Sequence, residues 1–399
     1  MPNLPRGNRD LIRSINRSIL LNAIKTQGAI SRADLAHKSG LSPATVTAIT
    51  GDLISEGLVI EKETGDSSGG RPPILLALNP RGGFVIGVKL MEDHAVGALT
   101  DLNATVYHKD TVDFSDESLD SIVDALVNLV NRLIRMSDVR KKQLLGVGVG
   151  LAGVIDSAQG ILRQSPFFGW KNVPLRDLLE TRLKVPIHID NDVNTLTLGE
   201  KWLGNGLPVD DFIVVTIGRG IGMGIVINGQ IYRGKSGGAG EFGHTVIDPK
   251  GPLCSCGKHG CLESFLSDRA LIDRAHIEVA PDVIDIDDLV KRAAAGNAAA
   301  ANVLTDAGRL LGRALANVVN ILDPKLILIS GEGVGMGPLF FSGLQASFHE
   351  NVMPGLADDT EIRVTPWGDD VWARAAASVV IGDIFNSPIG KEDGAEKAK

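Results

Sequence analysis

The sharpest chemistry in this sequence is carried by Cys254-x-Cys256-x4-Cys261. All 3 cysteines of the chain lie in this one short segment, a clustering that random placement gives on the order of one time in a thousand. An odd set of close cysteines suits disulfides poorly, whereas thiolates at this spacing suit a tetrahedral ion, zinc above all. Three thiolates lack one ligand, and either His244 or His259 can complete the set. Four protein ligands would close the site and make it structural, with no open position for a reactive water. A redox-active thiol is the competing reading. Carboxylates bracket the cysteines, with Glu241 in Glu241-Phe-Gly-His244 before them and Glu263 after.

Other segments could also do chemistry. Asn191-Asp192 stands between a β-like run, 185–190, and a helical pattern. A carboxylate at a strand end can act as general base toward a hydroxyl, or accept its hydrogen bond. Asp192 can equally be a plain helix cap. Gly218-Arg-Gly220-Ile-Gly222-Met-Gly224 could cradle phosphate or form a tight hairpin. Gly148-Val-Gly150-Leu-Ala-Gly153 formally matches a dinucleotide fingerprint, but that motif must lead into a helix, and 154–160 reads as a hairpin. Its glycines would instead let a strand end approach a small ligand, or simply turn.

The elements that must position these groups alternate. Strand-like runs at 84–88, 144–149, 212–217 and 326–329 are interleaved with helical stretches at 118–136, 173–184, 192–203 and 301–322. That predicts an α/β architecture with helices packed on sheets.

The first 79 residues form a separate head. Leu11, Ile12, Ile15, Ile19 and Ile24 recur at helical spacing over 10–27. Ser31, three residues before Asp34, caps a short helix that Gly40 ends. Ser42-Pro43 caps a third helix running to Glu56, with Val46, Ile49 and Leu53 facing inward. Ala44, Thr47 and Ala48 point outward, with Thr45 on the flank. This is a helix-turn-helix whose third helix would enter the major groove of DNA, Arg32 and Ser42 standing beside it. A Gly/Ser-rich loop, 65–70, between two apolar strands reads as a wing. Arg71 after it would enter a narrow minor groove or serve as a plain linker residue. A three-helix bundle that binds protein is the alternative for the head.

Charge agrees with a nucleic-acid-reading head on a different body. The chain carries −8 overall, while residues 1–62 carry +3, so nucleic acid would meet only a small part of the surface. No apolar run approaches the roughly 20 residues that cross a bilayer, and the N-terminus has no apolar stretch like a signal peptide. The chain therefore reads as cytoplasmic, with no membrane partner. The charged tail, 391–399, reads as disordered.

Taken together, Gly237-Gly-Ala-Gly-Glu-Phe-Gly-His244, Cys254-Ser-Cys-Gly-Lys-His-Gly-Cys-Leu-Glu263 and the Asn191-Asp192 pair resemble the ROK family of sugar-responsive repressors and sugar kinases. The likeness implies a winged helix-turn-helix over 1–79 and, over 80–390, a two-lobed, actin-like or ribonuclease H-like sugar-kinase fold with a ligand in the interlobe cleft. It implies His244, Cys254, Cys256 and Cys261 as zinc ligands. It implies Asn191, Asp192, Glu241, His244 and Glu263 as sugar-hydroxyl contacts, so that metal and sugar would share His244.

The departures from the family pattern matter as much. Kinases of the family carry Asp-x-Gly-Gly-Thr on the first strand pair, where this chain has Lys89-Leu90-Met91-Glu92-Asp93. Side chains replace both glycines, and two acids would repel phosphate. Arg219 stands where the kinases have Thr, and Phe167 where a sugar-binding Asn sits. The resulting expectation is a repressor of carbohydrate-utilisation genes with no enzymatic activity, acting on an operator as a homodimer or homotetramer. A sugar kinase with a DNA-binding extension is the alternative. A phosphotransfer-system protein is a further candidate partner.

Overall fold

The caps read from the sequence govern the start of the chain. In the computed structural model, which describes residues 9–62, 73–207, 209–365 and 369–385, the head begins with α1 (Arg9–Gln27), β1 (Ala29–Ser31) and α2 (Arg32–Ser39). The Ser31 hydroxyl accepts the Asp34 amide at 3.1 Å, and Gly40 closes α2 at φ 67°, a left-handed conformation that costs glycine nothing. Ser42 caps α3 (Pro43–Ser55) by accepting the Thr45 amide at 3.2 Å. The strands β2 (Val59–Lys62) and β3 (Leu75–Leu78) follow, and the sheet runs β1-β3-β2. Leu20, Leu21, Ile24, Leu35, Val46, Ile49 and Leu53 form the buried centre of the head. The strand β1 was not visible in the sequence, because three residues are too few to show a period of two. The expected wing at 65–70, Arg71 and the 391–399 tail lie outside the described residues.

The chain forms two units, 1–190 with 372–399, the head included, and 191–371. The first unit continues with β4 (Phe84–Leu90), β5 (His94–Asp101), β6 (Val106–Asp113), α4 (Leu119–Arg135), β7 (Leu144–Leu151), β8 (Val154–Asp156), β9 (Ile161–Gln164), β10 (Lys171–Val173), α5 (Leu175–Leu183) and β11 (Ile187–Asn191). Its main sheet has the order β11-β7-β4-β5-β6. The helix α4 lays Ile122, Val123, Leu126, Leu129, Val130 and Leu133 into the core at helical spacing. The antiparallel pair β8–β9 is the hairpin expected after Gly153, so the glycine run does not lead into a dinucleotide-binding helix.

The second unit holds α6 (Asp192–Leu203), β12 (Phe212–Ile217), β13 (Ile221–Ile227), β14 (Gln230–Ile231), α7 (Glu263–Leu266), α8 (Asp268–Glu278), α9 (Ile286–Ala294), α10 (Ala298–Leu322), β15 (Leu326–Ser330), α11 (Gly337–Asn351) and β16 (Glu361–Val364). Its sheet, β14-β13-β12-β15-β16, repeats the plan of the first: an antiparallel hairpin whose first strand pairs in parallel with a later one. The Gly218–Gly220 turn closes the β12–β13 hairpin, in which Ile217 pairs with Ile221.

The chain then returns to the first unit as α12 (Asp369–Phe385). Here a sequence expectation is corrected. Gly148 does not open a strand end to a small ligand: a Cβ on it would overlap the Ala376 carbonyl of α12, so the glycine lets helix backbone lie against β7. The far end of α12 meets the head, where Asn22 of α1 donates to the Phe385 carbonyl at 2.7 Å. The Lys25 ammonium lies 4.6 Å from the Phe385 ring centre, and burial lowers its pKa from 10.5 to about 8. The folded chain therefore binds fewer protons than the unfolded chain between pH 8 and 10.5, so stability rises across that window and is lowest below it. Lys25→Met should flatten the rise in stability between pH 8 and 10.5; melting scans against pH test this. Among the described residues, no helix is long and apolar enough to cross a membrane.

Candidate functional site

Backbone pairing decides which histidine joins the cysteines. The chain enters the site through Glu241 and a single 3-10 turn, Phe242–His244, and leaves it through Glu263 at the start of α7. Between them, Val246 forms an antiparallel bridge with Cys261, which draws the His244 turn alongside the cysteine loop. The ligand atoms of His244, Cys254, Cys256 and Cys261 then all lie within 4.8 Å of one another. His259 is closer in sequence, but its Nδ1–H donates to the Gly251 carbonyl at 3.1 Å, outside this cluster.

Two of the separations within the cluster match the edges of a tetrahedral site. Cys256 Sγ and Cys261 Sγ are 3.6 Å apart, and Cys254 Sγ is 3.5 Å from His244 Nδ1. Bonds of 2.0–2.3 Å to a central zinc imply edges of roughly 3.5–3.8 Å. Burial pushes the Cys261 thiol up to about 12, with neighbouring Cys256 and Cys254 adding to the shift. Burial opposes ionisation of Cys256 as well, yet the Lys258 amide and the two other thiols bring it below its ordinary value. These donors fit a bound cation that would neutralise the thiolates.

Three carboxylates of the expected effector set share one electrostatic neighbourhood. Burial raises the Glu241 carboxyl above its ordinary value, His244 opposes that shift, and the charges of Asp192 and Glu263 add to it. His244 divides its ring between two jobs, with Nδ1 on the cysteine side and Nε2 facing Glu241 Oε2 at 4.0 Å. Glu263 is held from two sides. Its Oε2 accepts the Ile221 amide at 3.2 Å, and its Oε1 accepts the Ser255 hydroxyl at 3.2 Å.

The helix cap at α6 belongs to Asn191, whose side-chain oxygen accepts the Val193 amide at 2.8 Å and the Asn194 amide at 3.2 Å. Asp192 is the first helical residue, and its carboxylate also accepts the Val193 amide, at 3.0 Å. The plain-cap reading thus falls mainly on Asn191. Sequence reasoning passed over Ser255 and Lys258, which lie between the ligands; Lys258 Nζ donates to the His244 carbonyl at 2.8 Å. Nothing in their spacing marks them out, because the contacts they make depend on how the loop folds back.

In the head, Ala44, Thr47 and Ala48 are exposed on α3 and Thr45 is half-buried. Ser42 and Thr45 hydroxyls lie 2.9 Å apart at the helix N-terminus, whose backbone N–H groups favour a phosphate. Arg32 is tied to Glu61 at 2.7 Å and to Thr50 at 3.3 Å. Two further arginines of α1, Arg13 and Arg17, pair with Asp52 of α3 and with Glu56 at its C-terminal cap and brace the two helices.

The sequence matches the ROK family over residues 85–382 and a winged helix-turn-helix DNA-binding family over residues 13–60. It is 33% identical over 395 residues to a putative xylose repressor of Caldicellulosiruptor sp. (strain Rt8B.4), covering 96% of this chain and 99% of that one. A solved ROK family transcriptional regulator, described as a homolog of the E. coli MLC protein, superposes with a TM-score of 0.85 at 28% identity, covering 94% of this chain and 97% of that one. A ROK family glucokinase from Streptomyces griseus, solved with glucose and AMPPNP, gives a TM-score of 0.64 at 27% identity over 74% of this chain and 99% of that one.

Proposed function

This chain belongs to the ROK family and carries a winged helix-turn-helix ahead of a sugar-kinase-like fold, and from that premise we propose that it is a sugar-responsive transcriptional repressor of carbohydrate-utilisation genes. The observation that carries this reading is the outer face of α3. Its small exposed residues, Ala44, Thr47 and Ala48, leave the helix free to approach base edges, while Val46, Ile49 and Leu53 anchor it from behind. Arg32, Ser42 and Thr45 flank this face, with Arg32 exchanging Glu61 for a phosphate on binding. Domain limits of 1–79 and 80–390 follow from this division of labour. A palindromic operator needs two heads, so the acting species is a homodimer or homotetramer in the cytoplasm.

The effector is a monosaccharide whose hydroxyls are met by Asn191, Asp192, Glu241, His244 and Glu263. Structural zinc on His244, Cys254, Cys256 and Cys261 holds His244 in place, leaving Nε2 to face the sugar. The sugar changes operator affinity by favouring one of two global states.

Two observations support a non-enzyme. The Lys89 side chain is only 6% exposed, with its ammonium 3.5 Å from the centre of the Trp372 ring, and the β4–β5 turn beyond it presents Met91, Glu92 and Asp93 instead of glycines. In the second unit, the glycine turn at 218–220 is faced by carboxylates. Glu332 lies against Gly218, and burial raises the Asp268 carboxyl, with the Glu332 charge adding to the shift and Arg219 opposing it. A triphosphate approaching either turn would meet negative charge.

Fluorescence anisotropy with operator sequences selected from a random duplex pool tests the reading. Salt-dependent, selective retention is expected, weakened about 10- to 100-fold by the cognate sugar, or about 1.4–2.7 kcal/mol of coupling. Ala48→Glu should abolish binding to the same duplex without lowering the melting temperature, because it places a carboxylate on an exposed face toward phosphate. Absence of selective retention by the parent chain refutes the repressor. Robust ADP release with D-xylose or D-glucose would establish the kinase instead.

A further inference from the structure

We propose that Ser255, the residue between the first two cysteines, is a positioning residue that orients the Glu263 carboxylate toward the sugar. The inference rests on the effector reading of Glu263 and deepens it. The four side chains that face the metal are His244, Cys254, Cys256 and Cys261. Two other polar side chains of the same loop point elsewhere, and each holds a residue of the effector set. Lys258 Nζ donates to the His244 carbonyl at 2.8 Å, and the Ser255 hydroxyl donates to Glu263 Oε1 at 3.2 Å.

The second oxygen of Glu263 is fixed independently. Oε2 accepts the Ile221 amide at 3.2 Å, just past the glycine turn, where a Cβ on Gly220 would stand only 3.0 Å from that oxygen. The carboxylate is thereby stretched between the β12–β13 hairpin and the cysteine loop, with the Ser255 hydroxyl the shorter of two contacts on Oε1, Cys254 Sγ lying 4.0 Å away. Rotation about its terminal torsion, which is broad in an unrestrained glutamate, is suppressed. A sugar hydroxyl then meets lone pairs of defined direction, and the ordering of this side chain is complete before the ligand arrives. Metal binding and effector binding are joined here by a contact distinct from the His244 imidazole.

Wild type and two variants of this chain, Ser255→Ala and Ser255→Thr, measured with zinc bound, test this. Plasma mass spectrometry should find the same metal content in all three, since Ser255 is not a ligand. Calorimetric titration with D-xylose and with D-glucose should show binding about five- to tenfold weaker for Ser255→Ala, the loss of one hydrogen bond to a carboxylate. Ser255→Thr, which keeps the hydroxyl, should restore it. Without any sugar, hydrogen exchange at the Ile221 amide should speed up in Ser255→Ala and return to the wild-type rate in Ser255→Thr.

Loss of metal from Ser255→Ala would overturn the proposal, since the residue would then serve loop folding. Unchanged affinity for a sugar that the wild type binds would overturn it too. Failure of the wild type to bind either sugar counts against the effector reading, and the exchange rate at Ile221 then decides the Ser255 contact alone: an unchanged rate refutes it.

Discussion

Replacing Cys256 by serine, or extracting the ion with a strong chelator, is expected to remove the metal, lower the melting temperature of the second unit and abolish the sugar response, all together. The physical reason is that the proposed metal and sugar sites share His244 and are joined through the cysteine loop. His244 turns Nδ1 to the cysteines and Nε2 toward Glu241. Glu263 is tied to the loop through Ser255. Binding of structural zinc contributes on the order of 10 kcal/mol in small zinc domains, and that free energy is folding free energy for the loop that supplies the ligands. Six helices, a five-stranded sheet and an apolar core make up the rest of the unit, so it should remain folded while the 241–263 segment loosens. DNA binding in the absence of sugar should persist, because the head carries its own core and caps. Metal content, melting and sugar titration on one sample provide the check. Full sugar affinity in the metal-free protein would dismiss the shared imidazole.

The second large effect concerns the pair of long helices in the same unit. Gly308→Val is expected to destabilise the second unit by about 3 kcal/mol or more. The helices α10 and α11 lie so close that a Cβ on Gly308 would overlap the Phe340 carbonyl, and one on Gly312 would overlap the Leu344 carbonyl. From the other side, Gly343 stands against the backbone of Thr305 at 2.5 Å from where its Cβ would be. Backbone cannot yield as the tip of a side chain can, so an isopropyl group must push the helices apart along their contact. The buried chains beside it, Leu304, Leu311, Leu315, Phe340, Leu344 and Phe348, would lose part of their packing with it. Denaturant unfolding of the variant beside wild type measures the loss. Melting within about 0.5 kcal/mol of wild type would show that the helices can slide without cost.

Much of the site was legible before any coordinates. The cysteine cluster was read from spacing alone, because thiolate chemistry requires several sulfurs close together and the chain has no others, and the fold does bring the three sulfurs together. The third helix of the head was placed to within a residue of its end, since Ser42, Pro43 and the buried triplet Val46, Ile49 and Leu53 are local signals that act through adjacent backbone. Strands such as Phe212–Ile217 were likewise found from their own apolar runs.

What the sequence determined by itself is therefore what is written within a turn or two of chain: caps, periodicity, the cysteine knuckle and the loss of glycines between Lys89 and Asp93. Spacing left His244 and His259 both open and only the family resemblance favoured His244; in the fold, the bridge between Val246 and Cys261 draws its turn alongside the cysteine loop. Nor could the meaning of Gly148 be read locally, because the helix it admits arrives more than 220 residues later. Local propensity acts over a few bonds, whereas which backbone lies against which, and which carboxylate is held by which hydroxyl, depends on long-range packing that only the folded chain supplies.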